Sequence, residues 1–272
     1  MKQSFRFFGQ MACFIGLFFF ALAGAVAASN EIGEVANMEG SLSAKGADGA
    51  LRPLANKGKV LVGDTLFTGK DSYARIKFTD GGQISLRPKS QFKIEKFNYD
   101  EQQPGKDAAN FNLLKGAMRS ITGIVGKRGD PDSYNVKTRE ATAGVRGTKF
   151  GIRLCQRDCE DVPLPADGKP IADGSHFDVL EGTIIVKNSS GAQILLNAGQ
   201  FGYVSDTGAP PVEVPADHAV RVEVPAKISL DNFKGANAAM TGNKTAGDVK
   251  AGDRKADQKS GKAGDTPNAC PL

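Results

Sequence analysis

Arg75-Ile76-Lys77-Phe78-Thr79-Asp80-Gly81-Gly82-Gln83-Ile84-Ser85-Leu86 reads as two short strands around a turn. Apolar and polar residues alternate on both sides of Thr79-Asp80-Gly81-Gly82, the period of a strand with one buried face. Glycine in the turn reaches positive φ without steric cost, and Ile76, Phe78, Ile84 and Leu86 fall on one side. Pro88 lacks the N–H a ladder needs and stops the second strand, and Phe92 and Ile94 begin the next. A second hairpin runs from Thr183 to Lys187, turns at Asn188-Ser189-Ser190-Gly191 and returns from Ala192 to Leu196. Two further apolar runs, Phe150 to Leu154 and Phe177 to Leu180, form another pair. Over 272 residues there are 33 glycines and no tryptophan, and long helical periodicity is absent. The expected class is all-β, a β-sandwich or jelly-roll-like domain.

A faint repetition points the same way. Met38-Glu39-Gly40-Ser41-Leu42, Leu114-Lys115-Gly116-Ala117-Met118 and Leu180-Glu181-Gly182-Thr183-Ile184 share an apolar-x-Gly-x-apolar frame. Val62-Gly63-Asp64-Thr65-Leu66 and Ala198-Gly199-Gln200-Phe201-Gly202 form a matched pair of turns. The spacing is too irregular for a solenoid, which needs a fixed period, and suits a folded-over sandwich whose halves face each other. Asp100 to Asn110 reads as a polar loop, and Arg157 to Ser175, rich in Pro, Asp and Gly, as a surface insertion. Residues 31–205 are therefore expected to hold the β-domain. Residues 206–234 form an extension, in which Val212 to Leu230 alternates around Pro215 and Pro225 and allows one or two short edge strands. Beyond Gly235 only Met240, Val249 and Leu272 are large and apolar, too few to offset ordering entropy, so 235–272 is expected to be a disordered tail.

The N-terminus has the form of a secretory signal: Lys2 and Arg6, an apolar run from Phe7 to Leu22, then Ala25-Val26-Ala27 for cleavage. The competing reading is an uncleaved anchor. Removal of 1–27 leaves no expected membrane span, and the destination is the periplasm of a Gram-negative-type envelope. There Cys155 and Cys159 read as a disulfide closing a small loop, since a closed zinc site needs four ligands and only His176 and His218 remain to supply them. Cys270 is left over.

The net charge of +5 is mild and calls for no nucleic-acid partner. Nine Lys or Arg lie between Lys115 and Arg153, against Asp130, Asp132 and Glu140. They form either a shared anion-attracting face or ordinary solvated strands and loops. No G-x-S-x-G elbow, P-loop, H-E-x-x-H or Rossmann glycine pattern is present. His176, at a strand start, is expected to be exposed or capping, and His218 to sit on a Pro-flanked edge. No catalytic residue, metal or cofactor is expected.

The stretch Phe111 to Cys159 carries a family likeness. Ala141-Thr142-Ala143-Gly144-Val145-Arg146-Gly147-Thr148-Lys149-Phe150 resembles the signature of the FecR domain, an extracytoplasmic β-domain of bacterial signalling proteins. Met118-Arg119-Ser120-Ile121-Thr122-Gly123-Ile124-Val125-Gly126-Lys127 resembles the segment before it, and the likeness spans roughly Glu34 to Ser205. It implies signal transduction through contacts with envelope or periplasmic signalling proteins. FecR sigma regulators hold an anti-sigma domain in the cytoplasm ahead of a membrane helix, whereas here only residues 1–6 precede the apolar run. A non-catalytic binding or sensing module is therefore expected. The other class is a structural envelope protein associating with cell wall or outer-membrane components. Within the signature, Gly144 and Gly147 bracket Val145 and Arg146, so a fixed turn presents an arginine. Arg146 either satisfies carbonyls at a kink, with Thr148 pairing into the sheet, or contacts a partner. The first is the favoured expectation.

Overall fold

The computed structural model describes residues 31–128, 132–165 and 168–228. The expected signal segment 1–27 and tail 235–272 lie outside them. Alternation produces strands along the chain: β1 (Glu31–Glu39), β2 (Leu42–Lys45), β3 (Leu51–Leu54), β4 (Lys59–Leu61), β5 (Thr65–Thr68), β6 (Tyr73–Phe78), β7 (Gln83–Leu86) and β8 (Gln91–Asn98). They continue as β9 (Ala108–Lys115), β10 (Ala117–Ile121), β11 (Tyr134–Lys137), β12 (Ala141–Cys155), β13 (Gly174–Asn188), β14 (Gln193–Asn197), β15 (Phe201–Val204) and β16 (Val212–Val214). All belong to one sheet.

β12 and β13, 15 residues each, are its spine. Their mutual register slips between Arg146 and Phe150, and both strands change outer partners there. Before the slip β12 pairs with β11, Asn135 opposite Gly144, and after it with β10, Ser120 opposite Phe150. β13 pairs first with β15 and then with β14. The sheet thus folds back on itself. One layer runs β3-β2-β5-β8-β9-β11-β12-β13-β14, and the other runs β4-β1-β6-β7-β10-β12-β13-β15-β16. The layers meet through Phe78 on β6, whose ring lies 5.2 Å from Phe97 and 5.3 Å from Phe111 in the opposite layer. Ser120 Oγ and the Tyr134 hydroxyl bridge them at 2.8 Å.

The apolar-x-Gly-x-apolar frames are the corners where the chain crosses between layers. At each, the N–H after the glycine bonds a hydroxyl on the neighbouring crossing chain. Ser41 donates to Ser72 at 2.9 Å, Ala117 to Ser90 at 3.0 Å and Thr183 to Thr148 at 3.3 Å. A Cβ at Gly182 would lie 2.6 Å from the Gly147 carbonyl, and its φ of +77° is left-handed, so the corner admits glycine alone without strain. The matched turns coincide too: Asp64 Oδ2 accepts from the Leu61 N–H at 2.8 Å, and Gln200 Oε1 from the Asn197 N–H at 2.6 Å.

One expectation changes. The polar loop from Asp100 ends at Asp107, because Ala108–Asn110 pair with Asn98–Lys96 and open β9. Of the one or two edge strands allowed in Val212–Leu230, one, β16, forms among the described residues. Beyond it Val220, Val222 and Ile228 are buried, and residues 219–228 make a strap across the outer face of the second layer. Asn37, Arg75, Ser85, Arg119, Gly151 and Asp178 form one cross-strand row on that face. The strap follows it. Asp178 accepts from the Val222 N–H at 2.7 Å, Arg119 Nε donates to the Val222 carbonyl at 2.7 Å, and Asn37 donates to the Lys227 carbonyl at 2.6 Å.

Candidate interaction surface

The two stretches singled out in the sequence meet side by side. β10 and the second half of β12 are paired, and Thr122 closes the pairing: its N–H donates to the Thr148 carbonyl at 3.1 Å, and its Oγ1 accepts from the Thr148 N–H at 2.9 Å. Gly147 N–H donates to the Gly126 carbonyl at 2.7 Å. The loop after β10 is in turn pinned by Asp80 of the β6–β7 turn, whose carboxylate accepts from Gly82 and Val125 at 2.8 and 3.2 Å. Burial pushes that carboxyl up. Sequence reasoning treated Asp80 as a turn residue and Thr122 only as part of the segment before the signature, and had no signal for these long-range bonds.

Arg146 does not satisfy carbonyls at the kink. It is exposed and its guanidinium bonds no described residue. The bridging falls to Thr148, buried, with Oγ1 2.7 Å from the Thr183 carbonyl and 3.0 Å from that of Arg146. Gly147 has the positive φ, +62°, while Gly144 has none and a Cβ there would meet only ordinary contacts. Val145 points into the core.

Arg146 instead stands beside a groove of about 660 Å³ on the outside of the first layer. Register explains the groove. Asn110, Asn135, Gly144, Ile185 and Leu195 make one cross-strand row, and the missing side chain at Gly144 leaves a trough beside two aliphatic ones. Ile185 is 44% exposed and Leu195 56%. The flanking rows carry Lys137, Thr142, Lys187 and Gln193 on one side and Arg146, Thr183 and Asn197 on the other.

The family model described as FecR protein matches residues 64–161. These residues carry a FecR domain. The match begins in the β4–β5 turn and ends two residues past Cys159, a narrower span than the Glu34–Ser205 likeness. No curated protein matches the chain. Among solved structures, a putative anti-sigma factor from Parabacteroides distasonis ATCC 8503, determined at 1.65 Å and again at 2.50 Å, is similar at 15% identity and a TM-score of 0.40. The similarity covers 54% of this chain and 57% of that one, so this chain spans little more than half of that protein. The FecR match supports a signalling or regulatory role.

In the FecR domain most basic side chains of 115–153 are used internally. Arg119 lies with Asp178 at 2.8 Å, Arg128 with Asp107 at 2.9 Å, Arg139 with Glu140 at 2.7 Å, and Lys115 with Asp158 at 3.6 Å. A shared anion-attracting face is therefore not what the stretch builds. Cys155 and Cys159 form a disulfide, Cα atoms 5.4 Å apart. It closes the start of the insertion, from which Asp161 reaches back to Arg153 at 2.5 Å and Arg87 at 3.1 Å. His176 is neither exposed nor capping. It is buried, its ring centroid is 4.7 Å from that of Tyr203, and Nε2 lies 2.8 Å from the Ala172 carbonyl. His218 is half-exposed in a 3-10 turn, Ala216–His218.

Proposed function

We propose that this protein is an exported, non-catalytic binding module that works in envelope signalling by contact with another protein. The observation that carries the reading is the division of labour within the signature. Thr148, Gly147 and Thr122 are spent on the fold, while Arg146, bonded to no described residue through its guanidinium, stands beside exposed Ile185 and Leu195 on a sheet face. Apolar contact area with an arginine at its margin suits protein recognition more than small-molecule turnover. Export is supported by the charged, apolar and Ala-x-Ala sequence at the N-terminus, and a stable disulfide suits an oxidising compartment.

The test places a photoreactive amino acid at Ile185 in the full chain in its native cells, with Leu51, 68% exposed at the far edge of the same layer, as control. A discrete cross-linked protein from position 185, absent from position 51 and from an Arg146→Glu background, is expected in the periplasmic fraction. Cross-links that are the same from both positions sink the proposal, as does an uncleaved Met1 form held in the cytoplasm.

A further inference from the structure

The folded-over sheet leaves four end strands among the described residues, and three of them are guarded against pairing. β3 holds Pro53 and an Arg52 paired with Asp64, β4 holds Lys59, and β16 holds Glu213 and runs into Pro215. Charge, proline and short length are the devices by which proteins keep sheet edges unpaired. β14, Gln193-Ile194-Leu195-Leu196-Asn197, has neither charge nor proline. It pairs with β13 alone.

The ladder shows which groups are available. Asn188 N–H donates to the Ala192 carbonyl at 3.0 Å, and antiparallel bonding alternates from there. Val186 with Ile194 and Ile184 with Leu196 exchange bonds, so the backbone groups of Gln193, Leu195 and Asn197 face outward. Asn197 is satisfied by Gln200. Among the described residues nothing bonds the outward donors and acceptors of Gln193 and Leu195, which lie beside the exposed aliphatic pair Ile185 and Leu195.

We infer that β14 accepts an added strand: an extended segment of a partner protein that pairs antiparallel with Gln193–Asn197. On the outward face it sets an apolar side chain against Leu195 and acidic side chains two residues to either side. This deepens the binding-module reading and rests on it. The acidic character follows from the flanking rows. Lys187 is exposed, forms no ion pair with a described residue, and lies two strands in from the new one, roughly 9–10 Å and within combined reach of a lysine and a glutamate. Arg146 biases the opposite flank the same way. A second copy of this chain is disfavoured as occupant. The rows that β14 of another copy would bring carry Arg146, Thr183, Asn197, Lys137, Thr142, Lys187 and Gln193, with no carboxylate for these cations. Main-chain bonds would supply affinity and the alternate side chains specificity.

The probe is the short capped peptide TETVTET, with TKTVTKT as its counterpart, titrated into the full-length protein while amide exchange is followed. Saturable binding of the acidic peptide, about tenfold tighter than the basic one, with slowed exchange at Gln193 and Leu195, is expected. Leu195→Pro removes an outward N–H that β13 does not use, so its melting temperature should stay close to wild type while peptide binding falls by about tenfold or more. Lys187→Glu, a surface change, should shift preference toward the basic peptide whether or not the proline variant folds. Equal affinity for both peptides, protection elsewhere, or a concentration-dependent dimer abolished by Leu195→Pro overturns strand addition. The cross-link from position 185 separates the two proposals. A partner captured equally by wild type and Leu195→Pro keeps the binding module and removes β14 as its acceptor. Peptide binding as described, with no partner from position 185, keeps the edge and removes the envelope-contact reading.

Discussion

At the residue scale, single side chains divide between those that hold the turns and those that titrate. Burial holds the His176 imidazole below its ordinary value of 6.5, with the Ala172 carbonyl and Glu140 pulling the other way. Below pH 6.5 the unfolded chain takes up a proton that the folded protein refuses, so stability should decline as pH falls through that window and be unaffected above it. Thermal melting between about pH 7 and pH 5 should therefore slope more steeply for wild type than for His176→Gln. The comparison removes the contributions of Asp80 and Asp178, whose raised values act in the opposite sense. The Cys155–Cys159 bond closes so short a loop that loop-closure entropy gives it about 2 kcal/mol or less. Denaturant curves with and without reductant measure this, and a loss well above that figure would mean the Arg153–Asp161 contact depends on the bond. His176 was misjudged from sequence because a histidine beside Phe177 and Asp178 gives no sign of the Tyr203 ring that covers it.

At the element scale, the corners and the strap carry the architecture. Gly182→Ala puts a Cβ against the Gly147 carbonyl at a left-handed φ, and should cost roughly 2–4 kcal/mol. Gly144→Ala meets only ordinary contacts, nearest Asn135 Oδ1 at 3.6 Å, and should melt within about 0.5 kcal/mol of wild type. Parallel unfolding curves for the pair decide whether the corner or the signature turn is the constrained glycine. The strap depends on a buried ion pair. Burial pushes the Asp178 carboxyl up against the pull of Arg119, and Arg119→Ala strands that carboxylate under the strap. A loss of about 3–5 kcal/mol is expected, along with faster proteolysis after residue 218. A variant that melts like wild type would show that the strap is held by Val220, Val222 and Ile228 alone. The alternation in Val212–Leu230 suggested pairing, yet only β16 pairs. Pro215 interrupts the ladder, and the apolar side chains beyond it find burial on a sheet face instead of an edge.

At the scale of the whole molecule, one sheet serves as both layers, and its ends decide where a partner can join. Deleting residues from 219 onward strips three buried aliphatic side chains from the second layer, each worth about 1.5–3 kcal/mol. Melting of the truncated chain should drop well below that of the intact one while β14 keeps its exchange pattern. The sequence by itself determined the all-β class, the hairpins at 75–86 and 183–196, the disulfide pair and the FecR likeness. Each of these is written in local alternation, in turn residues or in a short spacing. It also marked the frames at Gly40, Gly116 and Gly182 as equivalent, since a crossing that excludes a Cβ leaves glycine at a fixed place in the pattern. Only the tertiary structure decided that these glycines are corners of a single folded sheet, that Thr148 rather than Arg146 bridges the kink, that 219–228 lies over Arg119 and Asp178, and that β14 ends a layer unguarded. All four depend on which distant segments become neighbours, 35 residues apart for Thr148 and Thr183 and 103 for Arg119 and Val222, and such contacts are selected by burial of the whole core, not by anything a local stretch encodes.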